Sequence, residues 1–471
     1  MQDLNDAQRE AVQCVEGPLL VLAGAGSGKT RVLTYRIAYL IEQRLAYPNQ
    51  ILAVTFTNKA ANEMKRRVEA LLGTAVEGMW IGTFHSICAR ILRIEAEHLG
   101  YDSNFTIYDV DDQIRLIQQV MEGLNISQEI IKPRQVHYTI SDCKNKMLGP
   151  AEYEKRASTV PEQRIARIYH EYEKAKRRSN AFDFDDLLLM PLELFTRDKA
   201  ILEKYQKKFR YILVDEYQDT NKAQYHLIRL LGAQHRNICV VGDEDQSIYR
   251  WRGADIENIL TFEKDYPECT VIRLEQNYRS TQVILDAANA VVANNQRRLG
   301  KNLWSRKKGG KKISRRVTLN EEHEAAEVVK IILQEMQEHP YNYNDFAVLY
   351  RTNAQSRALE ERLRRANIPY TIVGGIKFYE RKEIKDILAY LRLIANPRDS
   401  VALRRIINFP TRGIGTVTLG RLEAFALKHQ IGVYEAARRV DEVKELSINA
   451  RKRIREFVET IDALREKARE V

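Results

Sequence analysis

Short, mostly apolar runs recur along this chain, and they constrain its fold more than any other feature. They lie at 19–23, 51–56, 211–214, 238–241, 270–274 and 346–350, and each is followed by a turn or loop and often by a helical pattern. Strands that are apolar on both sides, instead of alternating with polar residues, are typical of parallel sheets with helices on both faces. The sequence therefore predicts an α/β fold.

Two stretches depart from this pattern and predict helical insertions. From about residue 108 to 184 the sequence is charged, with apolar residues spaced by three and four, as at Ile114, Ile117 and Met121. A second helical region begins near residue 377, with Ile387 and Leu391 on one apolar face. We expect a first α/β domain at 1–106 and 185–272, a helical insertion at 107–184, the start of a second α/β domain at 273–376 and a second, apparently truncated insertion at 377–471.

Composition narrows the class of protein further. A length of 471 residues predicts about three domains. The five cysteines form no C-x-x-C pair, so neither a disulfide framework nor a zinc site is expected. No apolar run reaches about 18 residues and the N-terminus lacks a signal-peptide pattern, which favours a cytoplasmic protein without a membrane segment. The net charge of +11 fits a polyanionic partner without identifying it.

A glycine-rich loop follows the first apolar run and precedes a helical pattern. Glycines at 24, 26 and 28 let successive backbone N–H groups point at phosphate oxygens, and the helix adds its positive end. In this P-loop arrangement Lys29 reaches the β- and γ-phosphates and Thr30 holds Mg²⁺. A turn without a ligand is the alternative. The nucleotide-binding residues predicted here are Ala25, Gly26, Ser27, Gly28, Lys29, Thr30 and Arg31.

Two acidic residues, Asp215 and Glu216, come directly after the apolar run at 211–214. Asp215 is placed to bind the metal, and Glu216 to orient and deprotonate the water that attacks the γ-phosphate. Adjacent acids are also common as surface charge. Beside a phosphate loop, however, Lys29, Thr30 and these two acids form the minimum set for phosphoryl transfer from ATP.

Further blocks place the chain beside a known family. They lie at 4–12, 23–30, 54–61, 82–86, 183–187, 214–220, 241–254, 276–280 and 350–353. With these blocks the chain resembles the UvrD/Rep/PcrA group of superfamily 1 DNA helicases. The resemblance implies a P-loop NTPase with two RecA-like parallel-sheet domains, the second incomplete here, and two mainly helical insertions.

The resemblance also implies roles around the nucleotide. Gln8 is expected to read the adenine edge, and Tyr278 to stack on the base. Gln246 is expected to sense the γ-phosphate and couple it to DNA. Arg279 corresponds to the arginine that stabilises charge in the transition state, although an ordinary surface ion pair is the alternative.

A DNA track is the second implied feature. A motor that is indifferent to sequence stacks bases on aromatic rings and holds the backbone with polar or basic groups. Aromatic residues beside polar ones follow several of the apolar runs, where a sheet presents its ligands. The residues expected to contact DNA are Phe56, Thr57, Asn58, Thr83, His85, Tyr249, Trp251, Arg252, Arg351 and Asn353.

The resemblance implies an ATP-dependent helicase that moves 3′ to 5′ on single-stranded DNA, acts at single/double-strand junctions and serves repair or replication. Two later family blocks, one with a second catalytic arginine, do not occur in this sequence, and a charged helical pattern runs to its last residue. We therefore expect a fragment, with a complementing C-terminal piece as a possible partner.

Alternative functions follow from the same residues. The chain could bind nucleotide and DNA without hydrolysing ATP or unwinding DNA. A nucleotide or metabolite kinase is disfavoured, because a kinase does not need the block at 241–254 or the aromatic residues. A helicase–nuclease would require a nuclease block, which this sequence does not contain.

Overall fold

The computed structural model describes residues 2–373 and 382–470, apart from the side chain of Arg252. The chain divides into two compact units, one formed by Met1–Gly310 with Asp386–Val471 and the other by Lys311–Lys385. The strands, all in the first unit, are β1 (Leu19–Ala23), β2 (Ile51–Thr55), β3 (Trp80–Thr83), β4 (Thr106–Tyr108), β5 (Ala181–Asp183), β6 (Tyr211–Val214), β7 (Ile238–Gly242), β8 (Thr270–Leu274), β9 (Gln276–Asn277) and β10 (Trp304–Ser305).

The first unit is built on a six-stranded parallel sheet in the order β3-β2-β6-β7-β1-β8. The predicted strands at 19–23, 211–214 and 270–274 have the observed bounds, and those at 51–56 and 238–241 differ by one residue at one end. Two short parallel pairs, β4 with β5 and β9 with β10, lie outside this sheet. The predicted α/β fold is confirmed.

The four inner strands of the sheet, β2, β6, β7 and β1, are buried on both faces, which explains why they are almost continuously apolar. Along β1, Leu20 and Leu22 pack into one hydrophobic cluster, while Leu19 and Val21 pack into a second. Successive side chains of a strand point to opposite faces, so each face requires its own apolar set. All six strands of this sheet run in one direction, and their carboxyl ends therefore meet at one edge of the sheet.

Helices cover the sheet and form the insertions. In the first unit up to residue 310 they are α1 (Asp6–Gln13), α2 (Lys29–Glu42), α3 (Asn58–Leu72), α4 (Phe84–Glu95), α5 (Val110–Gly123), α6 (Pro133–Asn145), α7 (Pro150–Arg156), α8 (Val160–Arg178), α9 (Phe184–Arg197), α10 (Lys199–Lys208), α11 (Lys222–Gly232), α12 (Glu257–Leu260), α13 (Phe262–Asp265) and α14 (Gln282–Val292). They continue as α15 (Glu321–Glu338), α16 (Ser356–Arg365), α17 (Lys382–Ala395), α18 (Ser400–Ile406), α19 (Thr416–His429), α20 (Val433–Arg438) and α21 (Ile448–Arg469). Within the described ranges no helix is both long and apolar enough to cross a bilayer.

Helices α5 to α8 form the predicted helical stretch, and buried charges hold it against α9. Lys144 and Lys176 are almost completely buried, with Nζ atoms 2.6 Å and 2.9 Å from the Asp183 carboxylate. Burial opposes ionisation of Asp183, but the two lysines outweigh it and lower the pKa of that carboxyl. Asp183 also caps α9, because its side chain accepts from the backbone N–H of Asp186 over 2.9 Å. The network thereby fixes α6 and α8 at the start of α9.

The C-terminal helices confirm the second helical stretch but correct its predicted apolar face. In α17, Ile387 and Leu391 are 60% and 55% exposed, whereas Asp386 and Leu393 are buried. Asp386 tolerates burial because Arg405 donates to its carboxylate over 2.6 Å. The predicted face is wrong at Ile387 and Leu391, because the side of α17 that packs against the C-terminal hydrophobic cluster carries Ala389 and Leu393, with the buried Asp386 beside them. The predicted start near residue 377 lies outside the described residues.

The second unit contains α15 and α16, which pack through a small cluster of Val329, Ile332, Leu363 and Ile368. The strand predicted at 346–350 is wrong, because these residues are irregular in the structure. A strand needs neighbours for its backbone N–H and C=O groups. In the described part of the chain, no strand pairs with this segment.

Candidate functional site

The glycine-rich loop forms a tight turn between β1 and α2. Gly26 and Gly28 have φ angles of 70° and 95°, in the left-handed region that glycine adopts without the steric cost of a Cβ. The Ser27 hydroxyl closes the turn by donating to the carbonyl of Gly24 over 2.7 Å. Because α2 begins at Lys29, the positive end of that helix lies at the loop. The loop therefore has the form that a phosphate group requires.

Lys29 lies at the centre of a polar network where the strands end. Its Nζ is 2.8 Å from Oε2 of Glu216 and 3.4 Å from Oε1 of Gln246. Gln218 donates to the same Glu216 oxygen over 2.9 Å. These side chains converge because Lys29 follows β1, Glu216 follows β6 and Gln246 follows β7. The structure thus brings together three residues that the sequence predicts to be catalytic.

The two acids after β6 have different environments. Asp215 is 5% exposed, and burial, together with the charge of Glu216, raises its pKa to about 7 against the opposing effect of Lys29. Glu216 has a φ of 49°, a left-handed conformation that costs a non-glycine residue about 1–3 kcal/mol. Thr30, in the first turn of α2, offers a hydroxyl oxygen. Oxygen donors suit Mg²⁺, and a divalent cation would favour the ionised form of Asp215, so the donor set fits this metal.

The residues predicted to contact the base lie beside the phosphate loop. Gln8 is 1% exposed and donates through Nε2 to the carbonyl of Ser27 over 2.9 Å. The backbone N–H of Tyr278 donates to the carbonyl of Gly26 over 3.0 Å, while Tyr278 itself is 42% exposed. Its hydroxyl accepts from Asn5 over 2.8 Å. Both residues are adjacent to the loop, and their contacts with adenine stay predictions.

Two arginines flank the same loop. The Cβ of Arg279 is 2.8 Å from the position that a Cβ on Gly26 would take, so this residue lies directly against the phosphate loop. Arg279 is exposed and has no ion-pair partner among residues 2–373 and 382–470, so the surface ion-pair alternative gains no support. Arg31 is also partly exposed, and its guanidinium is 4.0 Å from the carboxylate of Asp3.

Three aromatic side chains form a continuous surface that we term the aromatic track: Phe56, Tyr249 and Trp251. The rings of Phe56 and Tyr249 stack with centroids 5.3 Å apart and planes at 23°. The Trp251 ring is 6.5 Å from Tyr249, and this tryptophan is 62% exposed. Phe56 follows β2, whereas the other two lie in the loop after β7. Phe56 and Tyr249 are half-buried and Trp251 is exposed, so the set offers aromatic surface of the kind that sequence-independent binding of bases uses.

The polar residues predicted to contact the DNA backbone include two helix caps. The Thr57 hydroxyl accepts from the N–H of Ala60 over 3.1 Å, and α3 begins at the next residue, Asn58. Thr83 caps α4 in the same way, accepting from the N–H of Ser86 over 3.2 Å. Helix N-termini with hydroxyl caps are suited to phosphate oxygens of a nucleic acid backbone.

His85 contacts an aromatic residue that the sequence analysis did not select. Its ring meets Phe184 edge-on, with centroids 5.9 Å apart, and burial lowers the pKa of His85. Phe184 is 48% exposed although it is the first residue of α9. The sequence does contain a signal for Phe184, because this aromatic residue lies beside acidic residues within the block at 183–187.

Three predicted DNA contacts remain, two in the second unit and one whose side chain is not described. Arg351 and Asn353 belong to the second unit, where both are exposed and Asn353 begins a short 3₁₀ turn. The side chain of Arg252 lies outside the described residues. All three stay predictions.

A parallel sheet with a glycine-rich phosphate loop after β1 and two acids after β6 defines a P-loop protein of the RecA-like class. A profile of the UvrD/REP helicase N-terminal domain matches residues 4–267. A profile of the UvrD-like helicase C-terminal domain matches residues 272–467. The chain belongs to the UvrD/Rep helicase family, and the resemblance seen in the sequence is confirmed.

Curated relatives agree with these matches. The chain is 51% identical over 441 residues to the ATP-dependent DNA helicase PcrA of Staphylococcus aureus, covering 94% of this chain and 60% of that protein. It is 52% identical over 441 residues to the protein of the same name from Staphylococcus epidermidis, with the same coverage. The chain therefore spans about 60% of the length of these relatives.

Proposed function

We propose that this chain is the nucleotide- and DNA-binding part of an ATP-dependent DNA helicase that moves 3′ to 5′ on single-stranded DNA. The loop after β7 carries the proposal. Within six residues it places Gln246 at Lys29 and Trp251 on the aromatic track. A change of state at the phosphate end of this loop is thereby linked to the surface where bases would stack.

Hydrolysis of ATP is assigned to the network around Lys29. Lys29 neutralises charge on the β- and γ-phosphates. The carboxylate of Glu216 lies 2.8 Å from Nζ of Lys29, which places it beside these phosphates, and there it accepts a proton from the attacking water. Arg279, adjacent to the loop, supplies a second positive charge that stabilises the negative charge developing as the γ-phosphoryl group separates from ADP. Gln246 contacts the lysine and reports on the third phosphate.

Thr30 and Asp215 are the residues that would hold Mg²⁺. The ion, when bound, supplies positive charge that neutralises the phosphates and orients them for in-line attack. Burial of Asp215 supports this assignment, since an ionised carboxylate in that place gains from a cation.

The proposal extends to substrate, place and partners. The substrate class is single-stranded DNA and its junctions with duplex, in repair or replication in the cytoplasm. We retain the domain boundaries 1–106 with 185–272, 107–184, 273–376 and 377–471 as part of this proposal. The complementing C-terminal piece expected from the sequence is kept as its proposed partner.

The test is ATP hydrolysis by the full 471-residue chain, with and without single-stranded DNA, after circular dichroism has confirmed folding. Strong stimulation by DNA is expected if the chain contains a working motor. A folded chain that binds ATP and DNA without turnover would instead be a binding fragment. A chain that binds neither ligand contradicts the proposal.

Replacing Trp251 by alanine is expected to weaken binding of single-stranded DNA by about 1–3 kcal/mol, which raises Kd about five-fold to 150-fold. The reason is loss of an exposed ring from the aromatic track. Fluorescence anisotropy with a labelled oligonucleotide measures the change. Tyr47→Ala is the matched control, because Tyr47 is 75% exposed but precedes β2, at the opposite edge of the sheet. An unchanged Kd for Trp251→Ala removes this residue from the track.

A further inference from the structure

A buried lysine outside every block of the sequence analysis lies next to the proposed ATP site. Lys301 follows α14, and its side chain is 3% exposed. Its Nζ is 2.6 Å from Asp243, 2.8 Å from Glu244 and 3.1 Å from Asp245. These three carboxylates are themselves 6% exposed or less, and they form the turn that leads from β7 to Gln246.

The cluster depends on Lys301 for its charge balance. Three carboxylates face two cations, because Arg298 also contacts Asp245 through two nitrogens at 2.8 Å and 2.9 Å. Arg298 reaches only Asp245 among the three acids, so Asp243 and Glu244 have Lys301 as their ion-pair partner in the described residues. A buried carboxylate that loses its cation is strongly destabilised.

Asp243 connects this cluster to the phosphate-sensing residue. One carboxylate oxygen of Asp243 forms an ion pair with the ammonium group of Lys301, and the other accepts a hydrogen bond from the side-chain amide of Gln246. The carbonyl oxygen of that amide faces Nζ of Lys29 at 3.4 Å. The backbone N–H of Asp243 donates to Gln218 over 2.9 Å, and Gln218 in turn donates to the Glu216 carboxylate. Lys301 is thus connected to Gln246 through one intervening residue, Asp243.

The segment that carries Lys301 also lies against the phosphate loop. Leu303 approaches so closely that a Cβ on Gly24 would be 2.2 Å from one of its methyl carbons. Trp304 pairs with Gln276, just before the residues that contact Gly26. Residues 295–304, which we term the arm, therefore contact both the turn before Gln246 and the loop that cradles phosphate.

We propose that Lys301 is a positioning residue of the ATP site. It holds the carboxylate of Asp243 in place, and Asp243 in turn orients the side-chain amide of Gln246. The position of the arm thereby determines how well Gln246 recognises the γ-phosphate. The inference rests on the proposed function, since it deepens the role given to Gln246. Lys301 does not contact the nucleotide in this proposal. Loss of Lys301 should therefore weaken binding of a nucleoside triphosphate more than binding of a diphosphate.

The experiment measures Kd for a non-hydrolysable ATP analogue and for ADP, with Mg²⁺, using the full chain and Lys301→Met. We expect Kd for the analogue to rise about ten-fold, the effect of one misaligned hydrogen bond to a charged group, while Kd for ADP changes little. Lys301→Arg should restore most of the analogue affinity. Arg297→Met is the matched control, because Arg297 lies on the same arm in an exposed ion pair with Glu257.

The possible results separate the positioning role of Lys301 from the proposed function of the chain. If Lys301→Met changes both affinities equally, or neither, the positioning role is wrong while the proposed function stands. If the unmodified chain binds neither nucleotide, the proposed function fails and the inference fails with it. A selective loss that Arg297→Met does not reproduce supports the role of Lys301.

A second variant guards against unfolding. Lys301→Met with Glu244→Gln keeps the formal charge of the cluster at its original value, since one cation and one anion are removed together. Asp243 still lacks its ammonium partner in this protein. Selective loss of analogue affinity in the double variant supports positioning, and normal selectivity overturns it.

Discussion

Replacing Lys29 by alanine is expected to abolish detectable ATP hydrolysis while leaving most of the affinity for single-stranded DNA. The ammonium group lies 2.8 Å from the Glu216 carboxylate, and it also contacts Gln246. Without it the β- and γ-phosphates lose a fixed charge, which in comparable sites lowers kcat about 10²–10³-fold. Glu216 also loses the partner that orients its carboxylate. Steady-state hydrolysis and anisotropy on the same preparations measure the two effects.

Lys222→Ala is the matched control for this experiment. Lys222 is the first residue of α11, as Lys29 is of α2, but its side chain is exposed. Its loss should leave both hydrolysis and DNA binding unchanged. Retained turnover in Lys29→Ala would remove the glycine-rich loop from the ATP site. Equal loss of DNA affinity in that variant would instead indicate a general folding defect.

The central sheet could be predicted because its strands carry their burial in their own residues. β1 and β6 are apolar at every position, so neither requires knowledge of its neighbours. β3 was not predicted as a strand, because Trp80–Thr83 is short and contains a glycine. The segment at 346–350 has strand-forming residues without a partner strand in the described chain. Composition sets the propensity of a strand, whereas pairing decides whether it forms.

Contacts between residues that are distant in sequence are the reason why the apolar face of α17 could not be predicted correctly. Hydropathy places Ile387 and Leu391 inside, but the buried side of α17 carries Asp386, paired with Arg405. Such a pair is invisible in the sequence because its two members are separated by 19 positions. The buried side of α17 therefore differs from the side that the spacing of its apolar residues predicts.

The same distinction applies to the candidate site. Lys29, Asp215 and Glu216 could be proposed from the sequence because each belongs to a short polar segment that follows an apolar run, and parallel strands gather their carboxyl ends at one edge. Lys301 could not, because its partners at 243–245 lie more than 50 positions earlier. Contiguous motifs identify the groups that act on a ligand, and the residues that position those groups emerge only with the fold.

Replacing Glu216 by glutamine is expected to separate ATP binding from ATP hydrolysis. The amide keeps the size of the side chain and can still accept a hydrogen bond from Lys29, whose Nζ lies 2.8 Å from the present carboxylate. It cannot take a proton from water, and loss of a general base lowers a rate about 10²–10⁴-fold. Single-turnover hydrolysis measures the rate, and titration with a fluorescent nucleotide measures Kd, which should stay close to that of the original chain.

Glu268→Gln provides the comparison that makes this loss interpretable. Glu268 also pairs with a cation, Arg236, at 2.9 Å, but both side chains are almost half exposed. An exposed pair of this kind contributes about 0–1 kcal/mol to stability, so this variant should hydrolyse ATP normally. If Glu216→Gln also kept its rate, Glu216 would serve only to hold Lys29 and the base would lie elsewhere. If it lost nucleotide binding together with hydrolysis, the carboxylate would be required for the loop itself, because its left-handed backbone and its contact with Lys29 form one structural unit.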